Sequence, residues 1–249
     1  MAWDMGFAGK AAVVTGAGGG MGLAVARALL AEGARVLALD VKPQPAGLDG
    51  ATYAQGDISD EGFVRAAMEE ADRRFGRLDH LVNAAGVLWF DRDKAAADMD
   101  LADWDRVFAI NLKGAVIATR QAIPRMRRAG GSSIVHVATI QCLRGDPKPQ
   151  DAYQASKAGL LAFSKSIAIQ YARDAIRSNA ICPGPTLTPM QARWDGKPDV
   201  QTRVAEGIPL GRLGTVEDQA NACLFLLSPR AAYITGTEMI VDGGRMAMP

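Results

Sequence analysis

Tyr153 and Lys157 are four residues apart in a stretch of apolar and small residues that reads as a helix from Tyr153 to Arg173. On a helix that spacing puts both side chains on one face, about 6 Å apart along the axis. A phenol with its ordinary pKa of about 10 is a poor base at neutral pH. A cation beside it favours the phenolate. At ~4 Å and an effective dielectric of ~20 the attraction is roughly 4 kcal/mol as an upper bound, enough to bring the phenol near working pH. Such a group can take the proton of an alcohol while hydride leaves the same carbon, provided a hydride acceptor lies next to it. Because Tyr-x-x-x-Lys also occurs on ordinary helices as a solvated pair, the assignment depends on what else the chain carries.

It carries an acceptor site. The apolar run Ala11–Val14 leads into Thr15-Gly16-Ala17-Gly18-Gly19-Gly20-Met21-Gly22, and helical spacing follows from Leu23 to Leu30. Gly16, Gly19, Gly20 and Gly22, with Met21 among them, let the backbone turn sharply and present N–H groups to a pyrophosphate at a helix start. The next apolar run, Arg35–Leu39, ends on Asp40, 20 residues beyond Gly20. A carboxylate there accepts hydrogen bonds from both adenosine ribose hydroxyls and repels a 2′-phosphate, so NAD is expected over NADP. Lys42 close by leaves dual use open.

These residues need a scaffold that alternates strands and helices, and the chain reads that way. A strand near Ala51–Tyr53, a helix over Asp60–Phe75, a strand over Leu78–Val82 and a helix through Trp104 to Arg128 come first. Strand Ser133–Ala138, the tyrosine helix, strand Arg177–Ile181 and a last strand Glu238–Val241 follow. Short apolar strands alternating with helices predict a single-domain, doubly wound Rossmann-type α/β fold, with about seven parallel strands and helices on both faces. At 249 residues, 49% apolar and 22% charged, one domain is expected. The irregular segment 186–209, rich in Pro, Gly and polar residues, is expected to be a mobile lid over the substrate.

Composition excludes several other classes. Twenty-eight Lys and Arg balance 27 Asp and Glu with no long basic run, so neither nucleic acid nor an anionic membrane is expected as a partner. The stretch Arg125-Met126-Arg127-Arg128 precedes Gly130-Gly131, where cations suit a helix C-terminus. Cys142, Cys182 and Cys223 are widely spaced and only His80 and His136 accompany them, which fits no zinc pattern. Both histidines sit in apolar strands and read as structural. The segment Met1–Lys10 lacks the basic start and apolar stretch of a leader, and no apolar run approaches the about 20 residues that span a bilayer. A reduced, metal-free cytoplasmic protein is expected.

The pattern Thr-Gly-x-x-x-Gly-x-Gly resembles that of the short-chain dehydrogenases/reductases, and later landmarks extend the resemblance over the chain. They are Asn83-Ala84-Ala85-Gly86, Asn111 in Asn-Leu-Lys-Gly, Tyr153-x-x-x-Lys157, Pro183-Gly184 with Thr188, and Val241-Asp242-Gly243-Gly244. The resemblance implies that Asp57 and Ile58 flank the adenine and that Asn83, with Ala84 and Gly86, lines the cofactor groove. It also implies that Thr186 and Thr188, after Pro183, hold the carboxamide of nicotinamide. Lys157 would bind the nicotinamide ribose, and Asn111 would hold a water that carries the proton onward. Asparagine is a mediocre helix residue, so a local helix interruption is expected at Asn111. One position departs from the family, whose serine about a dozen residues before the tyrosine is replaced by Thr139, fourteen before Tyr153. Thr139 is expected to orient the substrate through its hydroxyl, with Gln141 as the next polar candidate; Cys142 reads as a packed thiol.

The substrate pocket is expected from Trp89 and Phe90, from Gln141 to Arg144, and from the lid with Trp194. That lining suits a small alcohol or carbonyl compound, cyclic or hydroxylated. By resemblance the protein is a homotetramer, for which the small-residue stretch Ala155–Ala168 and the tail Met246–Met248 are suitable surfaces. Two rivals stand beside an NAD-dependent alcohol dehydrogenase. One is an NADPH-dependent 3-oxoacyl-carrier-protein reductase; Asp40 and the absence of a basic residue in the glycine turn speak against it. The other is a dinucleotide sensor without chemistry, which Asn111, Tyr153 and Lys157 speak against.

Overall fold

A computed structural model describes residues 5–248; the reading of Met1–Asp4 falls outside them. Seven strands form one parallel sheet: β1 (Ala11–Thr15), β2 (Arg35–Asp40), β3 (Thr52–Gln55), β4 (His80–Asn83), β5 (Ser132–Val137), β6 (Ile176–Pro183) and β7 (Glu238–Val241). Their spatial order is β3-β2-β1-β4-β5-β6-β7. The chain therefore winds outward from β1 in one direction and from β4 in the other. A crevice opens between the carboxyl ends of β1 and β4, where such folds bind ligands.

The helices are α1 (Gly20–Ala31), α2 (Glu61–Phe75), α3 (Leu101–Phe108), α4 (Gly114–Ala129), α5 (Asp151–Gln170), α6 (Pro198–Glu206) and α7 (Val216–Leu227). Successive strand residues point to opposite faces. Ala12 and Val14 accordingly join a core with Val25 and Leu29 of α1 and Leu224 of α7, while Val13 joins another with Met68 of α2 and Met126 of α4. All five residues of β1 are buried, which explains why the strand reads as an unbroken apolar run.

Local chemistry sets the boundaries. Asp60 accepts from the amides of Gly62 and Phe63 and starts α2, and Gly76 in the left-handed region ends it. The three arginines near the end of α4 are paired, Arg125 and Arg128 with Asp72 and Arg127 with Asp174.

Three expectations change. The helix read through Trp104 to Arg128 is two helices, separated at Ala109–Lys113 by a π-helical turn. Segment 186–209 is not an irregular loop; it holds a 3-10 turn, Pro189–Trp194, and α6. Helix α7 went unread, although Thr215 and Asp218 form a reciprocal capping box at its start. No helix among the described residues is long and apolar enough to cross a membrane.

Candidate active site

A cleft of about 720 Å³ runs along the carboxyl ends of the strands. At its β1–β3 end the wall is backbone. The amides of Gly16 and Ala17 donate to the Leu39 carbonyl at 2.8 and 3.1 Å, stitching the glycine turn to β2. Gly16 has φ +73°, and a Cβ there would lie 2.6 Å from the Ala85 amide nitrogen. At Gly22 a Cβ would come within 2.2 Å of the Gly16 carbonyl oxygen, so α1 leaves the turn at a distance only glycine permits. Thr15 Oγ1 accepts from the amides of Ala84 and Ala85, both at 3.2 Å, and ties this turn to the end of β4.

Asp40 hangs against the turn. Its Oδ2 accepts from the Gly18 amide at 2.8 Å and its Oδ1 from the Lys42 amide at 2.9 Å. Helix α1 begins without a side-chain cap and with no acidic residue in its first turn, so among the described residues the amides of that turn have no side-chain acceptor, and Asp40 reaches only the Gly18 amide before it. This donor set fits a pyrophosphate, and the adjacent carboxylate fits a ribose. Gly19, Gly20, Met21, Asp57, Ile58, Ala84, Gly86, Pro183, Thr186 and Thr188 all line the same cleft. The Thr186 hydroxyl is already engaged, donating to the Gly184 carbonyl at 2.9 Å and accepting from Gln219 Nε2.

Asn83 departs from expectation. Asn83 is 2% exposed and is not on the wall; its amide donates to Thr119 Oγ1 and contacts His136 Nδ1, each at 3.2 Å. Asn83 faces α4 and braces the sheet beneath the cleft. Asp57 is on the wall but paired, with Arg106 at 2.6 Å and Ser59 Oγ at 2.7 Å. Burial raises its pKa, but the hydrogen bonds from Arg106 and Ser59 outweigh that and leave it below the usual carboxylate value.

Beyond β4 the wall is made of side chains. Tyr153 and Lys157 lie on one face of α5, both buried. Burial pushes the Tyr153 phenol well above its ordinary value, neighbouring Cys142 pushes it further, and a hydrogen bond with the Thr139 hydroxyl pulls it back. The net direction is upward, where the spacing with Lys157 suggested a fall. The Lys157 ammonium donates to the Val137 carbonyl at 2.8 Å, and burial brings its own pKa down to about 8. What the spacing misses is desolvation, which acts on both groups and disfavours charge on each. Burial also raises the Cys142 thiol to about 11, which suits a packed thiol.

Thr139 Oγ1 further accepts from the Gln141 amide at 3.3 Å, and Gln141 Nε2 donates to Asp146 at 2.8 Å. Thr139 is thus the hydroxyl beside the phenol, while Gln141 is tied to its own loop. Asn111 occupies the π turn, where the interruption was expected. Its Oδ1 accepts from the Val87 amide at 2.7 Å and its Nδ2 donates to the Val87 carbonyl and Ser156 Oγ, at 3.0 and 3.1 Å. A Cβ at Gly86 would lie 3.1 Å from Lys157 Nζ and 3.3 Å from Asn111 Oδ1, so the bare glycine lets both approach the end of β4.

One residue was missed. Asp93 is 2% exposed, and its two oxygens accept from the amides of Ala152 and Tyr153 at 3.0 and 2.8 Å. It satisfies the first turn of the helix that carries the tyrosine. Trp89 and Trp194 are on the wall as expected; Phe90 is not, but stacks under Arg193. His80 and His136 are buried and held neutral, with pKa values lowered to about 4 and about 3 chiefly by burial.

The chain matches the family model described as enoyl-(acyl carrier protein) reductase over residues 16–245. It is 37% identical to a cis-4-hydroxycyclohexanecarboxylate dehydrogenase of Sinomonas cyclohexanicum, over 97% of this chain and 98% of that protein. It is 35% identical to a 3-oxoacyl-acyl-carrier-protein reductase of Thermotoga maritima, over 95% and 97%. The aldohexose dehydrogenase of Thermoplasma acidophilum superposes with a TM-score of 0.90 at 30% identity, over 98% of this chain and 96% of that one. With the glycine turn, the tyrosine–lysine pair and a match along nearly its whole length, the chain belongs to the short-chain dehydrogenase/reductase family.

Proposed function

We propose that this oxidoreductase uses NAD to move a hydride to or from the carbinol or carbonyl carbon of a small cyclic or hydroxylated substrate, with Tyr153 exchanging the hydroxyl proton. The observation that carries the reading is one cleft lined by an uncapped glycine-rich helix start, by Asp40, and by Tyr153 with Thr139 and Lys157.

Gly16 to Gly22 would hold the pyrophosphate, Asp40 the adenosine ribose, Lys157 the nicotinamide ribose, and Thr186 and Thr188 the carboxamide end. The nicotinamide supplies hydride chemistry when bound. Thr139 would position the substrate oxygen beside the Tyr153 phenol, and its hydroxyl favours the phenolate against the effect of burial. The phenol gives its proton to that oxygen in reduction and takes it back in oxidation. Asp93 and the Val137 carbonyl fix the two ends of this arrangement, the helix start and the ammonium. The small-residue face of α5 supports a homotetramer.

The carrier-protein reductase reading keeps one observation in its favour, the Thermotoga maritima relative. Measuring kcat/KM with NAD and NADP separates the two. Wild type favours NAD, and Asp40→Ala lowers the NAD-to-NADP ratio at least tenfold. A wild-type preference for NADP, or a ratio unmoved by Asp40→Ala, overturns the cofactor assignment. Tyr153→Phe binds NADH normally and retains less than about a tenth of kcat when chemistry limits turnover.

A further inference from the structure

The connections after β5, β6 and β7 bring Arg144, Lys148, Arg193 and Arg245 to the wall of the cleft beyond Tyr153. Among the described residues none of the four is in an ion pair, although Arg92, Arg106, Arg125, Arg127 and Arg212 each have an acidic partner. A single carboxylate, Asp146, shares this part of the wall. It accepts from Gln141 Nε2 at 2.8 Å and from the Lys148 amide at 2.9 Å, and its charge also acts on Arg193, so three further cations stand against one carboxylate.

Arg193 is the most restrained of the four. Its guanidinium carbon lies 3.5 Å from the centroid of Phe90 and 5.4 Å from that of Trp194, and its Nε donates to Gln191 Oε1 at 3.0 Å. Stacking fixes the plane of the fork and leaves its Nη edge for a ligand. A planar, pre-oriented guanidinium matches a carboxylate or phosphate in a way that a mobile ammonium does not. Nearby Trp89, Trp194 and Met190 supply apolar surface for the body of a substrate. Like charges gathered in a groove with low-dielectric walls raise the local potential and favour an anion there.

We propose that the substrate carries a compact anion, a carboxylate or a phosphate, at the end of the molecule away from the carbinol, and that Arg193 binds it within the field of Arg144 and Lys148. This rests on the oxidoreductase reading above and adds the substrate class to it.

The test is titration calorimetry on the protein loaded with whichever of NADH and NADPH it binds, using cyclohexanecarboxylate, cyclohexyl phosphate and the neutral cyclohexanecarboxamide as probes. At least one anion is expected to bind tenfold or more tightly than the amide, and the tighter of the two names the group. Raising salt from about 50 to about 500 mM weakens the anion and leaves the amide alone. Arg193→Gln brings anion and amide within about twofold, and Arg193→Lys keeps part of the preference because charge remains while the stacked fork is lost. Arg193 is exposed, so these variants fold, and an unchanged Tm verifies it. Equal binding of anion and amide to wild type, or a full preference surviving in Arg193→Gln, overturns the anion site while leaving cofactor binding intact. Failure of wild type to bind either cofactor overturns the oxidoreductase reading, and this inference with it.

Discussion

The two ends of the cleft are built from different material. From β1 to β3 the wall is mainly backbone: glycines whose Cβ would collide, a helix start without a side-chain cap, and an acid held by two amides. From β4 to β7 it includes side chains brought together across large sequence separations, such as Trp89, Thr139, Tyr153 and Trp194, backed from beneath by Asp93 and Asn111. A backbone wall suits a ligand that does not vary, because it tolerates little substitution. A side-chain wall can be rebuilt for a new substrate without disturbing the first.

Thr139 breaks this comparison most sharply. Thr139→Val keeps the shape and removes the donor, so kcat falls by about 10²–10³ with the Tm held, whereas Thr139→Ser stays active and Gln141→Ala is milder than Thr139→Val. Near-normal turnover in Thr139→Val beside an inactive Gln141→Ala would transfer the role to Gln141.

Gly22→Ala probes the opposite end. Its Cβ would meet the Gly16 carbonyl oxygen at 2.2 Å, which forces backbone to move and costs about 1–3 kcal/mol. Stability and NADH affinity are expected to drop together, read by thermal melting and fluorescence titration. A variant with wild-type Tm and affinity would show that the turn is not constrained by packing.

Lys157→Met acts on stability with the opposite sign. The ammonium is buried with one carbonyl partner, and its pKa is lowered from 10.5 to about 8. Below about pH 8 the lysine is charged in both folded and unfolded chains, and the folded state bears the full desolvation cost, on the order of 3 kcal/mol. As pH rises from about 8 to 10.5 the folded chain gives up its proton first and the cost disappears. Lys157→Met should therefore lose turnover yet melt a few degrees higher at pH 7, with the advantage shrinking by pH 10. A lower Tm at pH 7 would show that the hydrogen bond to Val137 outweighs desolvation.

The same division governs what the sequence made legible. Apolar runs buried on both faces marked the strands, and the glycine turn with Asp40 after the next strand marked the cofactor end, because those signals are local in the chain. Asp93 gave no such signal, since the amides it satisfies belong to residues 59 and 60 positions later. The four-residue spacing of Tyr153 and Lys157 placed them on one face but said nothing of burial, which reverses the sign of the phenol shift. Asn83 was read from a motif, whereas its orientation follows from sheet register, which sets it beside His136 of β5. The capping box at Thr215 was readable and passed over.

The π turn at Ala109–Lys113 makes the site depend on chain length as well as residue identity. Such a turn accommodates one residue more than an α-helix does over the same stretch, and each helical residue advances the chain by about 100°. Deleting a single residue between α3 and α4 would restore a continuous helix and rotate one against the other by that angle. Asn111 would leave Val87 and Ser156 even with every side chain of the cleft unchanged. Alignments of this segment that count matching letters while ignoring a one-residue gap will therefore miss whether Asn111 still reaches Val87 and Ser156.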